Sequence, residues 1–173
     1  DYSADTSTTG ALNIGSSTTG NIETADDQDW FAVTLTEGSI YQIDLEGSPT
    51  SAGTLDDPYL RGIYDSLGSL ISGTTDDDGG TSLNSQLSYT ATSTGTHYIS
   101  AGAYEDSSYD DIGTYRLGIT QIGSADDYSA NTSTSGSLTV GSSATGNIET
   151  VDDQDWFAVT LTAGNIYQID LEG

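Results

Sequence analysis

The feature that most constrains this chain is an internal repeat, in which residues 1–47 recur as residues 127–173. Of the 47 aligned positions, 38 are identical, and the shift is 126 residues. A period of that length is typical of whole domains with their own cores rather than of short solenoid repeats. The repeat therefore predicts a complete domain over residues 1–122, a linker at 123–126, and an incomplete second copy at 127–173.

Apolar and polar residues alternate through most of the first unit, a pattern that is typical of half-buried β-strands. The clearest alternation lies at residues 31–35, 41–45, 83–89 and 115–119. Shorter candidate strands lie at residues 12–14, 20–24, 59–64, 69–72 and 97–104. About nine short strands separated by Gly and Asp turns predict an all-β protein, an antiparallel β-sandwich.

Composition excludes several classes of protein. The 173 residues carry 27 Asp plus Glu against only Arg61 and Arg116, for a net charge of −25. Such a chain cannot neutralise a phosphate backbone, so we expect no nucleic-acid partner. It has no Cys, which excludes disulfides, thiolate metal sites and Cys nucleophiles. It has no long apolar run, so we expect no membrane insertion.

The aspartates are clustered rather than evenly spread. The clusters lie at residues 26–29, 56–57, 76–78 and 105–111, and the first recurs at 152–155. Neighbouring carboxylates repel one another unless they are solvated or bridged, and Ca²⁺ bridges them with six to eight oxygen ligands. The clusters therefore predict calcium as cofactor. A solvated acidic surface that only maintains solubility and the general acidity of a halophile surface protein are the alternatives.

Five motifs follow one another in the first unit. They read GNIETADDQDWFAVTL at residues 20–35, YQIDL at 41–45, PYLRGIYD at 58–65, GTHYIS at 95–100 and GTYRL at 113–117. In this order they resemble the bacterial pre-peptidase C-terminal (PPC) domain, which is similar to the collagen-binding domains of clostridial collagenases. The resemblance implies a jelly-roll-like β-sandwich in a secreted bacterial protein, located outside the cell or on its surface.

The same resemblance implies one kind of calcium site, which joins the segment before the first strand to the acidic turn before the Trp-Phe strand. Transferred to this sequence, the ligands are Asp1, Asp26 and Asp29 in the first copy, and Asp126, Asp127, Asp152 and Asp155 in the second. A further site is expected from the adjacency of two loops at a sheet edge. Its ligands are Asp56, Asp57, Asp76, Asp77 and Asp78.

Catalysis is not expected from these residues. The chain has a single His, His97, and nucleophilic triads need such a base. His97 lies in the alternating segment 96–99, which is more typical of a hydrogen-bonded sheet residue. Paired carboxylates for glycoside hydrolysis are not excluded by composition, but a domain of this type offers no deep cleft.

Two non-enzymatic functions remain. In the first, the chain is a structural link of a fibre or array, and its partners are adjacent repeats or copies of itself, with strand exchange between subunits as one route. Four strands in 47 residues are too few to bury a core, so residues 127–173 need a second segment like 48–122. The alternative is an adhesion module that binds an extracellular polymer such as collagen or a polysaccharide. Its aromatic platform would be Tyr59, Tyr64, Tyr98, Tyr104 and Tyr109.

Overall fold

A computed structural model describes residues 1–104 and 112–173. These residues form two compact units, Asp1–Ser124 and Ala125–Gly173. The acidic cluster at 105–111, which includes Tyr109, lies outside the described residues. Regular structure within the described part of the chain consists of β-strands and one 3-10 helix, η1, at Ser48–Thr50. That part contains no helix long and apolar enough to cross a membrane.

Unit 1 is an antiparallel β-sandwich, as the alternation predicts. Its strands are β1 (Ser16–Ile22), β2 (Asp29–Leu35), β3 (Ile40–Glu46), β4 (Pro58–Tyr64), β5 (Ser85–Thr90), β6 (Gly95–Ala103) and β7 (Gly113–Gly123). One sheet has the strand order β1-β7-β3-β5 and the other the order β2-β6-β4. The fold class predicted from the sequence is confirmed.

The core of unit 1 lies between the two sheets. Alternate residues of the longest predicted strands point inward, as a period of two requires. The buried side chains of these strands are Phe31, Val33, Leu35, Tyr41, Ile43, Leu45, Tyr115, Leu117 and Ile119. Leu12, Ile22 and Leu55 extend the same cluster from outside the sheet centre.

Strand β4 contains an irregularity that the alternation did not predict. Leu60 and Ile63 are both fully buried although they are three residues apart. In the ladder, Leu60 lies opposite Ala101 and Gly62 opposite Ser100, so Arg61 is an extra residue. This β-bulge restores the inward phase of the strand. It also leaves Arg61 beside the ring of Tyr59, with its guanidinium carbon 5.0 Å from the ring centre.

Two short segments predicted as strands form single bridges instead. Ala11 bridges Ala32, next to buried Leu12, and Leu70 bridges Tyr64. The segment at 69–72 follows a turn in which the Asp65 carboxylate accepts hydrogen bonds from the backbone N–H groups of Leu67 and Ser69. That turn brings the chain back against β4 for only a few residues.

The pairing of the first three strands bears on the second copy. Strand β2 pairs with β6, β1 pairs with β7, and β3 pairs with β5 and β7, so β1, β2 and β3 share no ladder with one another. Residues 1–47 therefore supply strands to both sheets but cannot form a sheet by themselves. Unit 2 fits this rule, since its strands in the described residues are only β8 (Ser137–Leu138) and β9 (Ala158–Val159). Their parallel pairing is equivalent to the Ala11–Ala32 bridge of unit 1.

Candidate metal centres

The turn between β1 and β2 gathers the first group of carboxylates. Oxygens of Asp1, Glu23 and Asp27 lie within 4.8 Å of one another. Asp27 holds the turn closed, because its carboxylate accepts hydrogen bonds from the backbone N–H of Glu23 at 3.2 Å and of Gln28 at 2.8 Å. Burial raises the pKa of Asp27, and the neighbouring charge of Asp29 raises it further. The ionised form of Asp27 is therefore unfavourable where it stands, and a bound cation would stabilise it.

Of the ligands predicted here, the structure brings only Asp1 into the group. Asp26 has a left-handed backbone with φ of 67° and lies outside it. Asp29 is fully buried, and its carboxylate accepts hydrogen bonds from the backbone N–H of Tyr2 at 2.8 Å and from the hydroxyl of Tyr115 at 2.5 Å. A metal role for these two aspartates stays a prediction. The sequence signal for Glu23 was its place directly after the strand that ends at Ile22 and before the acidic turn.

The second copy gathers four carboxylates at the equivalent turn, and their membership differs from that of the first group. Oxygens of Asp126, Asp127, Glu149 and Asp155 lie within 4.8 Å of one another. Three of these four were predicted as ligands, and Glu149, the equivalent of Glu23, was not. Partial burial raises the pKa of Asp155, and the charges of Asp127 and other neighbouring acids raise it further. Buried oxygens of Glu149 and Asp155 have no hydrogen-bond partner among the described residues.

The turn of the second copy is built like that of the first. Asp153, the equivalent of Asp27, accepts hydrogen bonds from the backbone N–H of Glu149 at 3.0 Å and of Gln154 at 2.8 Å. Asp152 has a left-handed backbone with φ of 70°, as Asp26 does, and lies outside the group. The repeat therefore reproduces geometry as well as sequence.

A third group lies where the loop before β5 meets the start of β4. Oxygens of Asp57, Asp77 and Asp78 lie within 4.8 Å of one another, and Asp57 is only 3% exposed. The hydroxyl oxygen of Ser85 fixes the two segments together, because it lies 2.8 Å from the carbonyl oxygen of Pro58 and 2.9 Å from that of Asp77. Loop adjacency at a sheet edge predicts this juxtaposition.

The other two aspartates predicted for this site make hydrogen bonds within the protein. Asp76 accepts from the backbone N–H of Gly79 at 3.0 Å and of Gln86 at 2.8 Å. Asp56 accepts from the hydroxyl of Ser48 at 2.8 Å. Neither lies in the group of three, and their role as ligands stays a prediction.

Asp77 has the clearest electrostatic signature of the third group. Burial raises the pKa of its carboxyl, and the charges of Asp78 and Asp76 raise it further. One of its oxygens is buried without a hydrogen-bond donor among the described residues. All three groups offer carboxylate oxygens and no nitrogen or sulfur, and that donor set fits a hard cation such as Ca²⁺.

His97 is integrated into the sheet. It is 2% exposed; its Nδ1 lies 3.0 Å from the carbonyl oxygen of Gly95 and its Nε2 lies 3.5 Å from the hydroxyl of Ser93. Its ring also packs edge-on against Tyr89 at 6.5 Å. Both ring nitrogens thus have partners on the same turn.

Aromatic residues cover the outer face of the β2-β6-β4 sheet. The ring of Trp30 lies 4.0 Å from that of Tyr64 and 5.9 Å from that of Tyr98. Tyr59 and Tyr104 form a second, edge-on pair at 6.0 Å. Four of the five tyrosines predicted as a platform therefore lie in two aromatic pairs or clusters, while Tyr109 lies outside the described residues.

Comparison with known proteins finds one matching family model and several solved structures of low sequence identity. The family model of the bacterial pre-peptidase C-terminal domain, PPC, matches residues 27–103. The chain is similar to the PPC domain of a Bacillus anthracis collagenase, with 11% identity, a TM-score of 0.45, and coverage of 64% of this chain and 92% of that one.

Two periplasmic inhibitors of g-type lysozyme are similar over the same share of this chain, 64%. The inhibitor from Aeromonas hydrophila has 12% identity, a TM-score of 0.39 and 97% of its own length covered. The inhibitor from Salmonella Typhimurium has 14% identity, a TM-score of 0.36 and 98% of its own length covered. No curated protein sequence matches the chain.

Proposed function

We propose that this chain is a non-catalytic, calcium-stabilised tandem-repeat module. Its residues 27–103 match the family model of the PPC domain, an accessory module of secreted bacterial peptidases. The chain belongs to a secreted or surface bacterial protein and serves structural assembly, as one link of a fibre or array. The observation that carries the proposal is the gathering of carboxylates into three separate groups, one of them in the second copy of the repeat.

The charge of the chain supports a cation at these groups. The only basic side chains besides His97 are Arg61 and Arg116. Arg116 pairs with Glu46, and Arg61 donates a hydrogen bond to the carbonyl oxygen of Ala103 at 2.7 Å. Calcium suits the three carboxylate groups better than magnesium, because it accepts larger and less regular sets of protein oxygens.

The position of the second group supports a structural role. Asp126 ends the linker and Asp127 begins the second copy, whereas Glu149 and Asp155 flank its acidic turn. A cation shared by these four residues would fix the leading segment of the repeat to its turn. In an array of such repeats, each bound cation would stiffen the start of the next unit.

Calorimetric titration of the full chain with calcium tests this function. We expect saturable binding, and the substitution Asp77→Asn is expected to remove the binding event of the third group. The control is Glu37→Gln, which makes the same change of charge at an exposed residue outside all three groups. Absence of calcium binding, or an equal loss in both variants, would contradict the proposal.

The outer aromatic face supports a second candidate function, adhesion to an extracellular polymer. Aromatic rings such as those of Tyr64 and Tyr104 offer flat apolar surfaces with a polar edge, and Tyr104 is 42% exposed. Retention on insoluble collagen and chitin tests this function. We expect Tyr64→Ala and Tyr104→Ala to weaken retention and Ile122→Ala, on the opposite sheet, to leave it unchanged. A chain that binds neither polymer rules out adhesion to these two.

A further inference from the structure

The two copies of the repeated segment differ sharply in what covers them. Ile22, Leu35, Ile43 and Leu45 are between 0 and 1% exposed in unit 1. Their equivalents in unit 2, at a shift of 126 residues, are Ile148 at 60%, Leu161 at 51%, Ile169 at 76% and Leu171 at 100% exposed. Unit 2 therefore presents to solvent the apolar surface that forms half of the core in unit 1, which is unusual for a stable surface.

The nine differences between the copies leave this surface intact. Residues 5, 9, 11, 13, 14, 18, 25, 37 and 39 differ from their equivalents. All except Ser39 are exposed or partly exposed in unit 1. Every large apolar side chain that residues 1–47 bury in unit 1 is identical in the second copy. The second copy thus keeps the shape and chemistry that fit one particular partner surface.

Unit 1 shows which partner surface that is. Every ladder made by β1, β2 and β3 is to β5, β6 or β7. Leu60 and Ile63 of β4 join the same core cluster. The polypeptide that covers residues 1–47 is therefore the segment 48–123 of the same unit.

A polar contact points to the same partner. In unit 1 the buried carboxylate of Asp29 accepts a hydrogen bond from the hydroxyl of Tyr115 on β7. That hydrogen bond is accepted by Oδ2 of Asp29. In unit 2 the buried oxygen of Asp155 without a partner among the described residues is Oδ1, whose equivalent in Asp29 accepts from the backbone N–H of Tyr2. A segment with the pattern of β7 would bring a tyrosine hydroxyl to this carboxylate as it covers the apolar face.

We propose that residues 127–173 are an open acceptor for a further polypeptide segment with the strand pattern of residues 48–123, which completes a second sandwich. The proposal deepens the structural role above and rests on it, because it names the contact through which repeats assemble.

The test adds a separately produced polypeptide of residues 48–123 to the full chain. We expect a one-to-one complex by light scattering, and slowed amide hydrogen exchange at residues 155–161 and 166–172. The substitution Ile169→Asn is expected to abolish formation of this complex. The substitution Gln168→Asn changes the preceding residue, on the opposite face of the strand, and is expected to preserve the complex. The assay is run once with calcium and once with chelator, so that binding of the segment is measured separately from binding of calcium.

A second form of the test does not depend on the solubility of an isolated segment. A chain extended after Gly173 by a second copy of residues 48–123 is expected to protect the amide of Ile169 as strongly as that of Ile43. Unprotected residues 166–172 in this extended chain would overturn the proposal. So would binding that survives Ile169→Asn, or a 173-residue chain that dimerises through this face and protects it without any added segment.

Discussion

At the scale of the residue, the most informative side chain is Asp29, which the sequence places in an acidic cluster and the structure places in the core. It is fully buried at the start of β2, and its carboxylate is held by the backbone N–H of Tyr2 and the hydroxyl of Tyr115. A buried carboxylate is tolerated only when donors satisfy it. Its hydrogen bonds explain why this aspartate sits among apolar side chains.

The substitution Tyr115→Phe tests that contact. It keeps the ring but leaves a carboxylate oxygen of Asp29 without its donor, and a lost hydrogen bond to a charged group costs about 1.5–3 kcal/mol. We expect the free energy of unfolding in urea to fall by that amount. Tyr104→Phe, at a residue that is 42% exposed, is the control and is expected to change it by less than about 0.5 kcal/mol. Equal effects would contradict the account.

The same tyrosine predicts how stability depends on alkaline pH. Burial raises the pKa of Tyr115 well above its ordinary value of 10.0, and the hydrogen bond to Asp29 raises it further. Above pH 10 the unfolded chain therefore loses this proton while the folded chain keeps it, so stability falls as pH rises. Urea unfolding measured from pH 9 to 11 should show this slope, and Tyr115→Phe should make it shallower. If the slope is unchanged in the variant, the pH dependence of stability comes from other tyrosines and not from Tyr115.

Asp77 predicts an effect whose sign depends on calcium. Its raised pKa means that the ionised carboxyl disfavours the folded state in the absence of a cation, and that stability falls as pH rises above 3.8, its value in the unfolded chain. Asp77→Asn should therefore raise the melting temperature in chelator and lower it in calcium. A variant that melts lower in both conditions would show that Asp77 stabilises the fold without a metal.

At the scale of the element, strand alternation predicted the strands that matter for the core. The inward sets of β2, β3 and β7 are those predicted from residues 31–35, 41–45 and 115–119. The bulge in β4 was not predictable, because Leu60 and Ile63 break the period of two and only the ladder with β6 shows which residue is extra. Alternation reports which face is buried, whereas a bulge depends on the partner strand.

Gly62 tests the bulge. Its φ is +130°, and a Cβ there would lie 2.5 Å from the side chain of Leu70. Gly62→Ala should lower the free energy of unfolding by about 1–3 kcal/mol, since a strained backbone region and a clash act together. Gly118→Ala on β7, where a Cβ would meet ordinary contacts at 3.7 Å, is the matched control. A loss for Gly118→Ala as large as that for Gly62→Ala would contradict the assignment.

The acidic clusters show which neighbouring carboxylates can be predicted from the sequence and which cannot. The adjacency of Asp57 to Asp77 and Asp78 was predicted from loop order. Asp26 and Asp29, predicted for the first-copy site, lie outside its group of carboxylates, and the Asp29 carboxylate accepts hydrogen bonds from Tyr2 and Tyr115 instead. Glu23 and Asp27 replace these two aspartates in the group. The direction of a side chain in a tight turn depends on backbone angles that composition does not encode.

At the scale of the whole molecule, the dominant property is the net charge of −25 and its concentration in acidic clusters. Three carboxylate groups with no nitrogen or sulfur ligand are brought together by loops that the sandwich itself positions. Repulsion between the carboxylates opposes folding, and a bound divalent cation would offset it. The chain is therefore expected to reach its full stability only where calcium is abundant, as it is outside the cell.

The melting temperature of the full chain, measured in chelator and again after calcium is restored, tests this claim most directly. Both samples contain sodium chloride at the same ionic strength, so that general screening of the acidic surface is equal in the two. We predict a clear rise in melting temperature with calcium and a much smaller one with extra sodium chloride alone. Superimposable melting curves in chelator and in calcium would contradict the account.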